Sequence, residues 1–170
     1  MTLSDAYLAG FFDGEGCIGI YQNGKTTYHL RLQLVQNESG LVTAVFRELQ
    51  ARFGGNFRGH YSSNGRSKYN LQLNGDKAVA FLEVMLPHLI LKRLQAEIAI
   101  RWHKSRPKLT RNAKGQIQSH APEQQAFDET IAELLRVLKR RDADAVIQAN
   151  PVLTVAANQL GVSKIDGLCI

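Results

Sequence analysis

The residues best suited to chemistry are an acid set between glycines and a scattered group of cationic and amide side chains. The acid is Glu15, within Leu8-Ala9-Gly10-Phe11-Phe12-Asp13-Gly14-Glu15-Gly16. Alone it is a weak signal, because acids flanked by glycine are usually solvated loop residues. The stretch also fails the calcium-loop pattern, since Cys17 stands where the third oxygen ligand is needed. The histidines at 29, 60, 88, 103 and 120 show no two-residue metal spacing. Cys17 opens a predicted strand and reads as a packed thiol. The second group includes Arg31, Gln33, Arg58, Lys68, Asn70 and Gln72. Arg and Lys pair with guanine edges, and Asn and Gln with adenine, so the chemistry on offer is hydrogen bonding to nucleic-acid bases.

Two hairpins are predicted to carry that group. In Thr27–Leu34, apolar Tyr28, Leu30, Leu32 and Leu34 alternate with Thr27, His29, Arg31 and Gln33, which predicts a strand with one buried and one wet face. Cys17–Gln22 pairs with it through the Asn23-Gly24 turn. Further on, Phe57, Gly59 and Tyr61 point one way, with Arg58, His60 and Ser62 on the other side. After Asn64-Gly65, Tyr69, Leu71 and Leu73 face inward, and Lys68, Asn70 and Gln72 outward. The joined hairpins predict one four-stranded antiparallel sheet. Neither strand pair carries an acid, whereas an ordinary solvated face mixes signs. Tyr21, Asn23 and Lys25 at the first hairpin tip, and Arg66 at the second, are further expected contacts to nucleic acid.

Helices surround these hairpins in the predicted order. Ser4–Asp13 reads as a helix capped by Ser4 and ended by Gly14 and Gly16. Ala6, Gly10 and Asp13 share one of its faces at i, i+4, i+7. A helical glycine costs ~1 kcal/mol relative to alanine, which close approach of a second backbone would offset. Ser39–Phe53 forms a second helix, with Leu41, Val42, Val45, Phe46, Leu49 and Phe53 on its apolar side. Asp76 is expected to cap a third, ending at Pro87, and Leu91–Lys104 forms a fourth with Leu91, Leu94, Ile98 and Trp102 inward. Arg106–His120 reads as an extended loop, and Lys104, Arg106, Lys108, Arg111 and Lys114 as phosphate contacts. Glu123–Arg141 is predicted helical, with a shorter helix at Asp142–Gln148. Residues 1–150 read as a single domain, and 151–170 as a tail whose structure the sequence does not determine. The class is α+β.

Composition narrows the setting. With 170 residues and 44% hydrophobic, the chain has material for a core; no apolar run approaches a membrane span. Two cysteines cannot staple a chain of this size, which predicts a reduced, intracellular setting without secretion. The formal charge of +6 is unevenly spread: residues 17–115 hold 16 of the 21 Lys and Arg but 5 of the 15 Asp and Glu. So basic a middle between acidic ends suits a polyanion-binding surface.

Leu8–Gly16, in this helix–hairpin–helix–hairpin order, resembles the signature of the LAGLIDADG homing endonucleases. The likeness spans about residues 4–104. It implies the αββαββα fold, in which the antiparallel sheet forms a saddle over double-stranded DNA. It also implies site-specific cleavage of both strands, with motif helices of two half-molecules packed at a shared axis. By the same resemblance, Glu15 would hold a divalent metal, Mg²⁺ or alternatively Mn²⁺ or Ca²⁺, with the Gly14 carbonyl as a second ligand. Asp13 would be mainly structural at the helix end. Gln36 would help position catalytic water, and Lys92 would stand near the scissile phosphate. The chain departs from the pattern where Asn37-Glu38-Ser39-Gly40 supplies no basic residue.

The chain holds one such motif, so two strands call for two chains, and a C2 homodimer predicts a long, imperfectly palindromic site. Ala6, Ala9, Gly10 and Asp13 are the expected interface. The resemblance implies an enzyme that is intron-encoded or carried in an intein. Two alternatives stand beside it: a maturase whose partner is host intron RNA, and a DNA-binding regulator that no longer cuts.

Overall fold

The computed structural model describes residues 2–24, 26–61, 67–107, 120–140 and 143–162, apart from the side chains of 60, 61 and 144. Helix α1 (Asp5–Glu15) starts at Ser4, whose hydroxyl accepts the Tyr7 N–H at 3.2 Å. It runs two residues beyond its expected end. The turn expected at Gly14–Gly16 is instead the last turn of α1 joined directly to strand β1 (Gly16–Asn23). A Cβ at position 16 would lie 2.3 Å from the Phe12 ring and 2.6 Å from its carbonyl oxygen, so this junction requires glycine.

Strand β2 (Thr27–Asn37) returns from β1 past Gly24, whose φ of 69° is the left-handed conformation that the Asn-Gly turn needs. The second hairpin comprises β3 (Asn56–Tyr61) and β4 (Ser67–Asn74). The four strands form one sheet in the order β1-β2-β4-β3. Strands β2 and β4 pair antiparallel, with Leu32 opposite Leu73 and Leu34 opposite Leu71. These leucines and Leu30 are buried, as the alternation predicts. The α+β sheet-and-helix architecture expected of the sequence is present.

Helix α2 (Gly40–Phe53) is capped by Ser39, which accepts the Val42 N–H at 3.2 Å. Its Phe46 meets Phe11 and Phe57 edge-on, with centroids 6.2 and 5.6 Å away. Helix α3 (Asp76–Met85) brings Phe81 onto Phe12 and Phe53 at 4.9 and 5.2 Å. The cap of α3 is Gly75, with φ 56°; Asp76 is its first residue and not the cap. Two apolar assignments also change. Leu41 is 83% exposed and Leu91 63%, because each lies at a helix entrance, before the apolar stripe turns toward the core.

A 3₁₀ turn, Leu86–His88, leads to α4 (Arg93–Ser105). Then follow α5 (Pro122–Val137), α6 (Ala143–Ala149) and α7 (Pro151–Gln159). Helix α7 lies in the stretch whose structure the sequence does not determine; Leu153, Ala156 and Ala157 are its buried side chains. The chain divides into two compact units, 1–18 with 30–96, and 19–29 with 97–170. No described helix is long and apolar enough to cross a membrane.

Candidate functional site

The first unit contains the acidic end of α1. Asp13 is 7% exposed, and its carboxylate accepts three backbone N–H groups: Ile90 at 2.7 Å, Leu91 at 3.2 Å and Lys92 at 2.9 Å. The Lys92 carbonyl accepts the Ala96 N–H at 2.9 Å, so Lys92 stands at the head of α4. These N–H groups belong to the turn that precedes Arg93, and the positive end of the α4 dipole favours an anion beside it. Asp13 therefore holds the entrance to α4 from another element. The Lys92 ammonium donates to the Asp13 carbonyl, placing a cation at the negative end of α1.

Glu15, two residues on, is the opposite case. It is exposed and makes no hydrogen bond or ion pair among the described residues. Its charge sits at the helix end whose carbonyl dipoles disfavour it, which a bound cation would relieve. Gly14 is exposed beside it. Among the described residues no group of three or more His, Cys, Asp or Glu converges as a metal site, and Glu15 is the exposed carboxylate of this segment. The structure brings Lys92 to the Asp13–Glu15 segment. Gln36 accepts the Asn37 N–H through its side-chain oxygen at 3.1 Å, and no hydrogen bond among the described residues ties it to Glu15.

The expected interface is corrected in two places. Ala9 is 0% exposed and Asp13 is buried, so both are covered by their own chain. Ala6 and Gly10 are exposed, and the small-residue face continues through Gly14, not Asp13. A Cβ added at Gly10 or Gly14 meets nothing within 4 Å. Nothing among the described residues accounts for glycine at position 10.

The outward sheet face runs across β2, β4 and β3. Register places Gln33 opposite Gln72 and Gln72 opposite Asn56; Val35, Asn70 and Arg58 form the next row, and Asn37, Lys68 and His60 the third. Directly opposed residues share a face, so the predicted Gln33, Arg58, His60, Lys68, Asn70 and Gln72 positions lie together. Arg31, opposite Asn74, belongs to the same face. Val35, Asn37, Asn56 and Asn74 were not anticipated; continuing the β2 and β4 alternation by one more outward residue would have found Val35 and Asn74. Val35 is 41% exposed. The Asn56 side-chain oxygen accepts from Arg58 Nε at 3.1 Å, and Asn70 Oδ1 is buried with no hydrogen-bond donor among the described residues.

In the second unit, Tyr21 lies at the hairpin with its ring 6.3 Å from that of His29. The Thr27 hydroxyl donates to the Asn23 carbonyl at 2.5 Å, closing the turn. Lys104 is exposed. Lys25, Ser62, Arg66, Lys108, Arg111 and Lys114, and the His60 side chain, lie outside the described residues.

Arg106 is not the expected phosphate contact. Its Nη2 donates to Asp128 at 3.0 Å, its Nη1 to the Tyr28 carbonyl at 2.6 Å, and its guanidinium lies 4.4 Å over the Trp102 ring. Asp128, 0% exposed, also accepts Trp102 Nε1 at 2.9 Å and Gln124 Nε2 at 2.8 Å. Burial lowers the Arg106 pKa and the Asp128 charge draws it back up. His120, expected at the surface, is buried; burial and the nearby Arg106 charge hold its pKa below the usual imidazole value. Burial, then Glu129, raises that of Tyr28. The sequence signal for Asp128 was its place beside Ile131 and Leu135 on the apolar stripe of α5, where an acid needs partners.

Residues 8–89 match the model of a family described as LAGLIDADG endonuclease. Among solved structures, the homing endonuclease I-CvuI, in complex with its target in the presence of calcium, matches with a TM-score of 0.60 and 22% identity, over 92% of this chain and 94% of that one. The same enzyme with the I-CreI target in the presence of magnesium gives 0.59 and 24% over the same shares. At this identity the likeness establishes the fold. No curated protein gives a significant match.

Proposed function

Because residues 8–89 match the LAGLIDADG endonuclease family, we propose that the protein is an intron-encoded homing endonuclease acting as a homodimer. Its reaction is divalent-metal-dependent hydrolysis of both strands of a long, imperfectly palindromic DNA site. One observation carries the reading. Of two acids two residues apart on α1, Asp13 is buried and saturated while Glu15 is exposed and unpartnered.

The donor set fits a hard cation: the Glu15 carboxylate and the Gly14 carbonyl supply oxygen only, which suits Mg²⁺, and Mn²⁺ or Ca²⁺ in its place. A second copy supplies the missing carboxylate. The exposed Ala6, Gly10 and Gly14 face supports that pairing, since a mid-helix glycine with open space around it suits close approach of an identical helix. When bound, the cation supplies Lewis acidity, easing formation of hydroxide and the departure of the 3′ oxygen.

The chain's own groups do the rest. Asp13 holds the loop before α4, and Lys92 with it, so that an ammonium stands ready for the scissile phosphate. Gln36 offers an amide to orient water. Arg31, Gln33, Lys68, Asn70, Gln72 and Arg58 read base edges, and the Val35 side chain suits a thymine methyl. Tyr21, Asn23, Thr27 and His29 extend the reading surface at the first hairpin, and Lys104 meets phosphate.

The test is cleavage of a randomised duplex library with Mg²⁺, with sedimentation of the protein on a recovered site. The wild type is expected to cut selected sites as two chains per duplex, and Glu15→Gln to lose roughly a hundredfold or more in rate. Binding without cleavage by the wild type would favour the silent regulator, and preference for structured intron RNA the maturase. Undiminished cutting by Glu15→Gln would remove Glu15 from the site.

A further inference from the structure

We propose that Arg106, locked by Asp128, is a positioning residue that sets the direction of the first hairpin and thereby the bases its tip selects. The proposal rests on the DNA-reading role above, but its geometry stands without it.

Strand β4 ends at Asn74, opposite Arg31, so β2 continues toward its turn from Leu30 to Thr27 with no β4 residue beside it. In an antiparallel ladder alternate residues present N–H and C=O on the same edge. Leu30 and Tyr28 therefore face the side where β4 has run out. The Leu30 carbonyl accepts the N–H of Gly75, the first residue past β4, at 3.0 Å. The next carbonyl on that edge, Tyr28's, has no strand to meet and accepts from Arg106 Nη1 at 2.6 Å. A side chain takes over where the backbone ladder stops.

The rest of the guanidinium is held as well, apart from Nε, which is buried with no acceptor among the described residues. The fork of Arg106 spends its second nitrogen on Asp128, and its plane lies over Trp102. Both Asp128 oxygens are engaged, by Trp102 and Gln124 on one and Arg106 on the other. A buried ion pair is a poor route to stability, since well-packed apolar residues serve as well. Its geometric definition is another matter, and here that geometry ends on one peptide plane of the hairpin. Thr27 and His29 flank Tyr28 and point to the opposite face, so holding the Tyr28 carbonyl holds their direction as well.

The test uses the full-length protein with Arg106→Met combined with Asp128→Asn, which leaves no buried charge uncompensated, and Arg106→Lys, which keeps a cation but not the fork. Amide exchange without DNA is expected to quicken in residues 19–29 roughly tenfold or more in the double variant, and less in Arg106→Lys, with 67–74 unchanged. Selection of bound sites from randomised duplexes is expected to flatten base preference in one contiguous block per half-site and preserve it elsewhere. Unchanged exchange at 19–29, or exchange quickened throughout, overturns the proposal, as does a uniform loss of preference. If the wild type selects no duplex at all, the DNA-reading role fails and the exchange pattern alone decides whether Arg106 positions the hairpin. If the double variant does not fold, Arg106→Lys decides by the same two readouts.

Discussion

Asp13 and Asp128 are buried carboxylates, one in each compact unit, and their surroundings neutralise them by different means. Asp13 faces three backbone N–H groups at the head of α4. Asp128 faces three side chains, one of them the cation Arg106. Backbone donors come with the fold and remain when a side chain changes, whereas side-chain donors leave a charge behind when their partner is lost. The first arrangement suits a place where the end of one helix must be joined to the entrance of another. The second couples three elements through one guanidinium. Each acid organises its neighbourhood, but only one of them exposes the protein to an uncompensated cation.

Removing the Asp128 side chain separates the two most sharply. Asp128→Ala strands the Arg106 guanidinium in a buried site and is expected to cost about 3–5 kcal/mol in urea unfolding. Adding Arg106→Met is expected to recover a large part of that loss, because the unpaired charge goes with it. If the single variant loses no more stability than a change at Asp13, or if the second substitution recovers nothing, the distinction between the two acids fails.

Asp13→Asn comes next. The amide keeps one acceptor oxygen for three N–H groups and introduces a donor facing them, so a loss of about 1–3 kcal/mol is expected from the same measurement. No second substitution should rescue it, because the stranded donors are backbone. A rescue by any side-chain substitution elsewhere would show that the three backbone N–H groups are not what the Asp13 carboxylate serves.

How far the sequence showed these regions follows from the range of the interactions. Alternation along Thr27–Leu34 and Tyr69–Leu73, and the cap at Ser4, are local, and the structure contains them. The motif residues stood out through their resemblance to a known signature, since by type alone Glu15 is a weak signal. Burial of Asp13 was less legible: on a helical wheel it falls within about 20° of Ala6, which is exposed. A loop 77 to 79 residues away covers it, and helical periodicity has no term for that loop. Arg106 was read as one basic residue among several. Its aspartate lies 22 positions further on, and the carbonyl it serves lies 78 positions back. Nothing in a basic run distinguishes the residue that will be turned inward. Asp128 alone carried a warning, as an acid on an apolar stripe.

The smallest effect belongs to pH and falls on the Asp128 side of the comparison. His120 is buried near Arg106, and both burial and that positive charge favour its neutral form, while Asp128 opposes them less strongly. Its pKa in the folded chain is therefore below the unfolded value of about 6.5. As pH falls through about 6.5 the unfolded chain takes up the proton first, so stability drops with falling pH until the folded pKa is passed. Above that window the group contributes no pH dependence. Unfolding followed by urea at a series of pH values is expected to show this shallow decline in the wild type and its loss in His120→Gln. Neutralising Arg106 with Arg106→Met/Asp128→Asn should make the decline shallower without abolishing it, because burial is the larger cause. A decline that steepens in the double variant would mean that Asp128, not Arg106, dominates the field at His120, and that the pair's net effect on its surroundings is negative.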